Sequence, residues 1–467
     1  MEQIGRKDVI WNFAGTFMRI ASGLLVLPLV LHLLPSKEVG LWNIFLTIGG
    51  LAALLDFGFS NAFSRNITYV FSGAKELKSE GYVTVAENDK SIDYGLLRSL
   101  IAAMRRYYAI IAGIFLLVFF VASPFYLPYI FEKNNYQGNI TTVWIAWIVY
   151  GILVAYQLYT YYYSSLLLGR GFVKKYQQIV IIGHGSRILS SVIMLLLGFG
   201  LISLVFGQLI SDVVNRILCY STFYDKETKQ QMACSNKKSV KEIMAVMTPN
   251  ALKVGVTVIR GFLMYQGILL MAPLYLSLTV IGEFGTTRQF IELISSIGMI
   301  VFNTYFPKMT HYRVTGDMES LKRLWLKSNT FLLFFYIIAG TGFVVIGPYF
   351  MALIHSKTNF LASGLIVIYL LISYMEVNSG MSTAFLTIKN EVPFFKSNLI
   401  SGFLAFIAVF LLLQFSTLGV ASIILGIGLS QLVYQYWKWP LVVKKDLQLT
   451  AGNYFGFIGN VMKHGWK

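Results

Sequence analysis

The chain has 467 residues, 56% of them hydrophobic and 13% charged, with a formal net charge of +17. Soluble domains carry charge on roughly a quarter of their residues, so this composition excludes an ordinary water-soluble enzyme and indicates a helical protein that crosses the bilayer many times. The surplus cations are spread over many short connections, which argues against the contiguous basic face of a nucleic-acid binder.

Arg6 and Lys7 precede a long apolar run, as in a signal peptide, but Arg19 interrupts that run and no small-residue cleavage site closes it, so a retained first span is expected. Hydropathy then predicts twelve spans, near residues 9–33, 41–62, 106–130, 141–167, 177–198, 201–222, 246–273, 279–306, 328–352, 362–387, 396–415 and 418–439. The longest polar interval, roughly 64–103, reads as a solvated connector with a short surface helix. Pro28 and Pro273 near the outer ends of the first and seventh spans, and Pro249 at the start of the seventh, fit either movable bends or plain helix-end punctuation.

The even-numbered connections and both termini hold 29 of the 38 Lys and Arg, whereas the odd-numbered connections hold only Lys37, Lys133 and Lys357. Positive charge accumulates on the cytoplasmic side, so both termini are expected there. Cys219 and Cys234 would then face the cytoplasm, and no disulfide is expected. An internal repeat supports a duplicated bundle. LLPSKEVGLW (33–42) matches YLSLTVIGEF (275–284) at an offset of 242, and GLISLVFGQLIS (200–211) matches GVASIILGIGLS (419–430) at 219. The expected organisation is an N-terminal six-helix lobe (1–222), a cytoplasmic linker (223–245), a C-terminal six-helix lobe (246–440) and a cytoplasmic tail (441–467). Parallel repeats of this kind usually place a substrate site between the halves, near the midplane.

Charges inside the spans are the main functional pointers, because lipid cannot solvate them and each costs roughly 2.5–3.5 kcal/mol at mid-bilayer. Arg19, Lys253 and Arg260 have no acid three or four residues away. Lys253 and Arg260 lie seven residues apart, on one helix face and about 10 Å apart along the axis. With Arg187 and Arg288 they form the candidate set of substrate-binding cations. Asp212 with Arg216, and Arg288 with Glu292, stand at i,i+4 and are expected to pair along their own helices. Glu376, in SYMEVNSG, and Asp56 are the candidates for proton or sodium coupling; a neutral hydrogen-bonded structural acid is the alternative for Glu376. Tyr156, Tyr159 and Tyr163 recur at helical spacing and suit either stacking on sugar rings or anchoring at the membrane interface. His184 lies in the pKa range of a proton switch. No Walker A, HExxH, GxSxG or zinc-like Cys/His spacing is present, so neither an ATPase nor a hydrolase is expected, and no cofactor.

Several stretches together resemble the O-antigen type of polysaccharide-unit flippases in the multidrug/oligosaccharidyl-lipid/polysaccharide (MOP) exporter superfamily. They are NFAG (12–15), RIASGLLVLPLVLHLLPSKEVGLW (19–42), LLDFGFSNAFSR (54–65) and LLLGRGFVKKYQ (166–177). The resemblance implies an all-α polytopic fold of twelve transmembrane helices in two six-helix lobes facing each other in a V. It also implies a cationic cavity for a polyprenyl-diphosphate-linked oligosaccharide, alternating access from the cytoplasmic to the periplasmic leaflet, an inner-membrane location and other polysaccharide-assembly proteins as partners. The cavity would draw on Arg19, Lys253 and Arg260. Arg binds phosphate bidentately and Lys supplies a point charge, so the chemistry agrees. A multidrug cation antiporter of the same fold would instead favour a lumen dominated by acids, and a membrane-embedded glycosyltransferase or polymerase would need a large extramembrane loop or a metal-binding acidic motif.

Overall fold

A computed structural model describes residues 6–56, 59–77, 91–235, 239–245, 248, 259–389, 393–450, 452–453 and 456–457. The described residues form helices and turns with no strand. The chain divides into two compact units, Met1–Phe262 and Leu263–Lys467.

The first unit contains α1 (Arg6–Leu33), α2 (Ser36–Leu55), α3 (Phe59–Phe71), α4 (Tyr94–Lys133), α5 (Ile140–Thr160), α6 (Tyr162–Arg170), α7 (Val173–Leu196), α8 (Ile202–Phe223) and α9 (Lys226–Ala233). Side-chain oxygens cap the helix starts: Asp93 accepts from Leu96 N at 2.8 Å and Asn139 from Thr142 N at 3.0 Å. Gly171, at φ 91°, ends α6 in the left-handed region and turns the chain directly into α7. α7 packs along both α1 and α8, and α5 packs on α2, α4 and α8.

Several expected spans are drawn differently. The second breaks at Asp56, whose carboxylate accepts from Ser60 N at 3.1 Å, Ser60 Oγ at 2.7 Å and Tyr108 OH at 2.5 Å, so this buried acid opens α3. The interval expected to be a solvated connector is largely helical at both ends, because α3 runs to Phe71 and α4 starts at Tyr94. The 40-residue α4 is about 60 Å long, twice the hydrocarbon thickness. Its first turns bury Leu96, Leu97, Leu100, Ile101 and Met104 against Phe63, Ile67, Leu166 and Phe223. That stripe has helical spacing, but its polar neighbours dilute any hydropathy window. Arg170 closes this cluster: it donates to Asp225 at 3.0 Å and to the Phe223 carbonyl at 3.1 Å, over the Phe172 ring at 4.6 Å. Burial works against the Asp225 carboxylate, yet hydrogen bonds from Thr228 and Arg170 outweigh it and hold its pKa below the usual aspartate value.

A π-helical turn that begins on the last residue of the first unit (Phe262–Gly267), the short α10 (Ile268–Met271) and a 3-10 turn at Ala272–Leu274 lead into α11 (Leu278–Gly298) of the second unit. Then follow α12 (Ile300–Thr315), α13 (Met318–Leu353), α14 (Ser363–Leu386), α15 (Phe395–Phe415), α16 (Ala421–Leu432) and α17 (Gln435–Asp446). α13 begins ten residues before the expected ninth span, capped by Asp317 on Ser320 N at 3.1 Å. α14 contacts α11, α13, α16 and α17.

Among the described residues, eight helices are long and apolar enough to cross a membrane, and Phe17–Leu33 and Ile259–Leu274 are shorter apolar segments. Their large side chains stay exposed where a soluble protein would bury them, as with Leu117 (67%) and Phe125 (77%) on α4. The chain is a multi-pass helical membrane protein.

Candidate functional site

The first unit encloses a polar chamber of about 400 Å³ between α1, α5, α6, α7 and α8. One face of α8 supplies more of the lining than any other helix. Gln208, Asp212, Asn215, Arg216 and Cys219 follow at i, i+4, i+7, i+8 and i+11, so they line up along an otherwise apolar helix. Two glycines bring α7 close to that face. A Cβ at Gly183 would meet Asn215 Oδ1 at 2.3 Å, and one at Gly207 would meet Ser191 Oγ at 1.9 Å and the Arg187 carbonyl at 3.0 Å. The opposite walls are Gln157, Tyr161 and Tyr163 at the α5–α6 junction, Tyr176 and His184 on α7, and Arg19 on α1.

The charges of this chamber are unequal. Asp212 accepts from Gln157 Nε2 at 2.9 and 3.1 Å and from Gln208 Nε2 at 2.9 Å. The expected i,i+4 pair with Arg216 is absent: two neutral amides satisfy the carboxylate, and the Arg216 guanidinium lies 3.9 Å over the Tyr163 ring instead. Arg19 is exposed to the chamber and makes no ion pair among the described residues. His184 Nδ1 is 2.9 Å from Ser22 Oγ, one turn beyond Arg19. Two guanidiniums therefore face a space holding one carboxylate that is already hydrogen-bonded. Such a space suits an anion with several oxygens, which Arg can bind through two parallel N–H donors.

The second unit holds a smaller chamber of about 220 Å³, lined by Tyr265, Phe284, Arg288, Glu292, Tyr369 and Glu376 among others. Here the expected pair is present, Arg288 Nε to Glu292 at 2.5 Å, with the guanidinium 5.4 Å from the Tyr265 ring. Phe284 and Tyr369 stack at 5.7 Å. Hydrogen bonds among Ser295, Tyr336 and Ser373, at 2.6 to 3.2 Å, brace one wall. Two acids against one cation give this chamber the opposite charge balance.

The candidate residues therefore separate. Arg19 and Tyr163 line the first chamber, and Arg288 and Glu376 the second. Arg187 lies on α7 within electrostatic reach of Tyr150 and Asp212. Asp56 caps α3, away from either lining. Of the three tyrosines, Tyr163 is buried under Arg216, while Tyr156 and Tyr159 are half-buried and outside the lining. Arg260 lines neither chamber, and Lys253 lies outside the described residues. Gln157, Gln208 and Asn215 are lining residues that charge alone does not mark, because amides carry none. The recurrence of polar residues at i, i+4, i+7 and i+8 within 201–222 was the available signal.

No protein-family model matches the sequence, and no curated protein does. Solved structures do match in fold. The lipid II flippase MurJ in an inward closed conformation superposes with a TM-score of 0.65 at 13% identity, over 97% of this chain and 91% of that one. An inward-facing multidrug-resistance MATE family transporter of the MOP superfamily gives 0.60 at 15% identity, over 95% and 99%. The chain has the MOP transporter fold. A MOP superfamily transporter from Pyrococcus furiosus gives 0.50 at 16% identity, over 95% and 96%. At these identities the likeness concerns the MOP fold alone, so the chambers have to supply the chemistry.

Proposed function

We propose that this protein is a flippase that carries a polyprenyl-diphosphate-linked oligosaccharide from the cytoplasmic to the periplasmic leaflet by alternating access. The observation that supports this reading is the charge balance of the first chamber: Arg19 and Arg216 face it, against an Asp212 whose oxygens take the amides of Gln157 and Gln208. A diphosphate meets two guanidiniums there, and in a space of lowered dielectric those contacts strengthen. The lining runs from mid-helix, at Arg19, His184 and Asp212, toward Val173 and Phe223, where Tyr176, Asn215, Arg216 and Cys219 lie; the distribution of Lys and Arg assigns those ends to the cytoplasm. The chamber would thus load from the cytoplasmic side of the inner membrane, with both termini in the cytoplasm, twelve crossings in two six-helix lobes, and polysaccharide-assembly proteins supplying and consuming the cargo. Lys253 and Arg260 are retained as further phosphate contacts, Tyr156 and Tyr159 as sugar contacts, and Glu376 as a coupling acid for protons or sodium. The test is flipping of a labelled polyprenyl-diphosphate oligosaccharide by purified protein in liposomes. Activity in the wild type that is lost in R19A/R216A supports the reading, and equal activity in both overturns it.

A second reading, a multidrug cation antiporter, draws on the other chamber, where Glu292 and Glu376 stand among Tyr265, Phe284 and Tyr369. Acids with aromatic faces suit an organic cation. Uptake of a cationic dye by the same liposomes, abolished in E376Q, would favour it.

A further inference from the structure

The last helix presents a fixed, two-character face whose partner the transport reading does not supply. α17 is tied down at both ends. Gln435 at its start accepts from Trp439 Nε1, donates to Ser401 Oγ at 3.0 Å, and offers its carbonyl to Ser379 Oγ at 3.0 Å. Asp446 at its end accepts from Arg313 at 2.8 and 2.9 Å. Tyr436, Trp439 and Val443 are buried beneath it. The outward face carries Tyr434, Trp437, Lys438, Leu441, Lys444 and Lys445 at spacings of three and four, one continuous stripe.

The order of residues along that stripe identifies its partner. It continues the exposed apolar surface at the end of α16, where Val433 is 71% exposed, through Trp437 (47%) and Leu441 (43%) to the exposed Lys444 and Lys445. No acid lies between Tyr434 and Lys445 to neutralise the lysines. An apolar stretch, then an indole, then ammonium groups follows the bilayer profile from acyl chain through interface to headgroup phosphate. A water-soluble acidic protein would leave Trp437 and Leu441 without a match. A second copy related by a twofold axis would bring the lysine stripes together, like charge against like.

We propose that this face is a binding site for anionic phospholipid, with the phosphate held by Lys444 and Lys445, Lys438 beside it, and the acyl chain along Trp437 and Leu441. The lipid is a bound structural partner and not the cargo, so the site stands independently of the transport reading. Native mass spectrometry of the full chain, titrated with phosphatidylglycerol or phosphatidylcholine, tests it. The expected result is tighter binding of phosphatidylglycerol, with K444Q/K445Q losing about fivefold per lysine for that lipid only. K444R/K445R restores the preference, W437A weakens both lipids, and K226Q/K229Q on α9 serves as the charge-matched control. The proposal fails if K444Q/K445Q keeps the preference, if the α9 control loses as much, or if the face is covered by a dimer that dissociates in K444Q/K445Q.

Discussion

Replacing Arg19 by Ala separates a ligand-binding cation from a structural one. Arg19 is exposed to the first chamber without an ion pair among the described residues, so its loss should move folding stability by no more than about 0.5 kcal/mol. A phosphate held by its fork loses charge-assisted hydrogen bonds worth about 1.5–3 kcal/mol, or roughly 10- to 150-fold in Kd. Calorimetric titration of the purified protein with a short-chain isoprenyl diphosphate, at low and high salt, measures this directly. Arg19→Lys keeps the charge but not the planar fork and should recover only part of the affinity. Arg216→Ala gives the contrast. Its guanidinium sits 3.9 Å over Tyr163 in a half-buried position, where a cation–π contact is worth about 0.5–2 kcal/mol. That variant should lose thermal stability as well as affinity. If R19A binds within twofold of wild type with the same Tm, the chamber is not the phosphate site.

Asp212→Asn removes the chamber's carboxylate while a flipped glutamine amide can still bond the new side chain, so diphosphate affinity should rise at least about threefold, most at low salt, in the same titration. Gly207→Ala should destabilise the α7–α8 contact by about 1–3 kcal/mol, since the added methyl meets a backbone carbonyl at 3.0 Å that no rotamer change relieves; a thermal-shift assay in detergent reads it. Asp225→Asn breaks the Arg170 latch. The Asp225 pKa is depressed in the folded state, so its stabilisation is present above the unfolded value of about 3.9 and fades as pH falls through the folded one. The Tm gap between wild type and D225N should be open at pH 6 and narrow below about pH 4.

The sequence by itself determined the class of this protein: apolar runs of bilayer length, too few charges for a soluble fold, and cations gathered on alternate connections. These are local properties, set by how each segment partitions between water and hydrocarbon. The Arg288–Glu292 pair was legible for the same reason, since helix geometry alone brings i and i+4 together. Helix ends were less so, and α4 shows why: Leu96, Leu97, Leu100, Ile101 and Met104 gain their burial from α3, α6 and Phe223, which no window over residues 94–104 contains. The tertiary structure alone decided what the intramembrane charges do. Asp212 and Arg216 have the same i,i+4 spacing as Arg288 and Glu292, yet Gln157 from α5 takes the carboxylate and Tyr163 from α6 takes the guanidinium. Whether a buried charge is neutralised by its own helix or left facing a cavity depends on which neighbours can reach it, and packing between helices sets that choice.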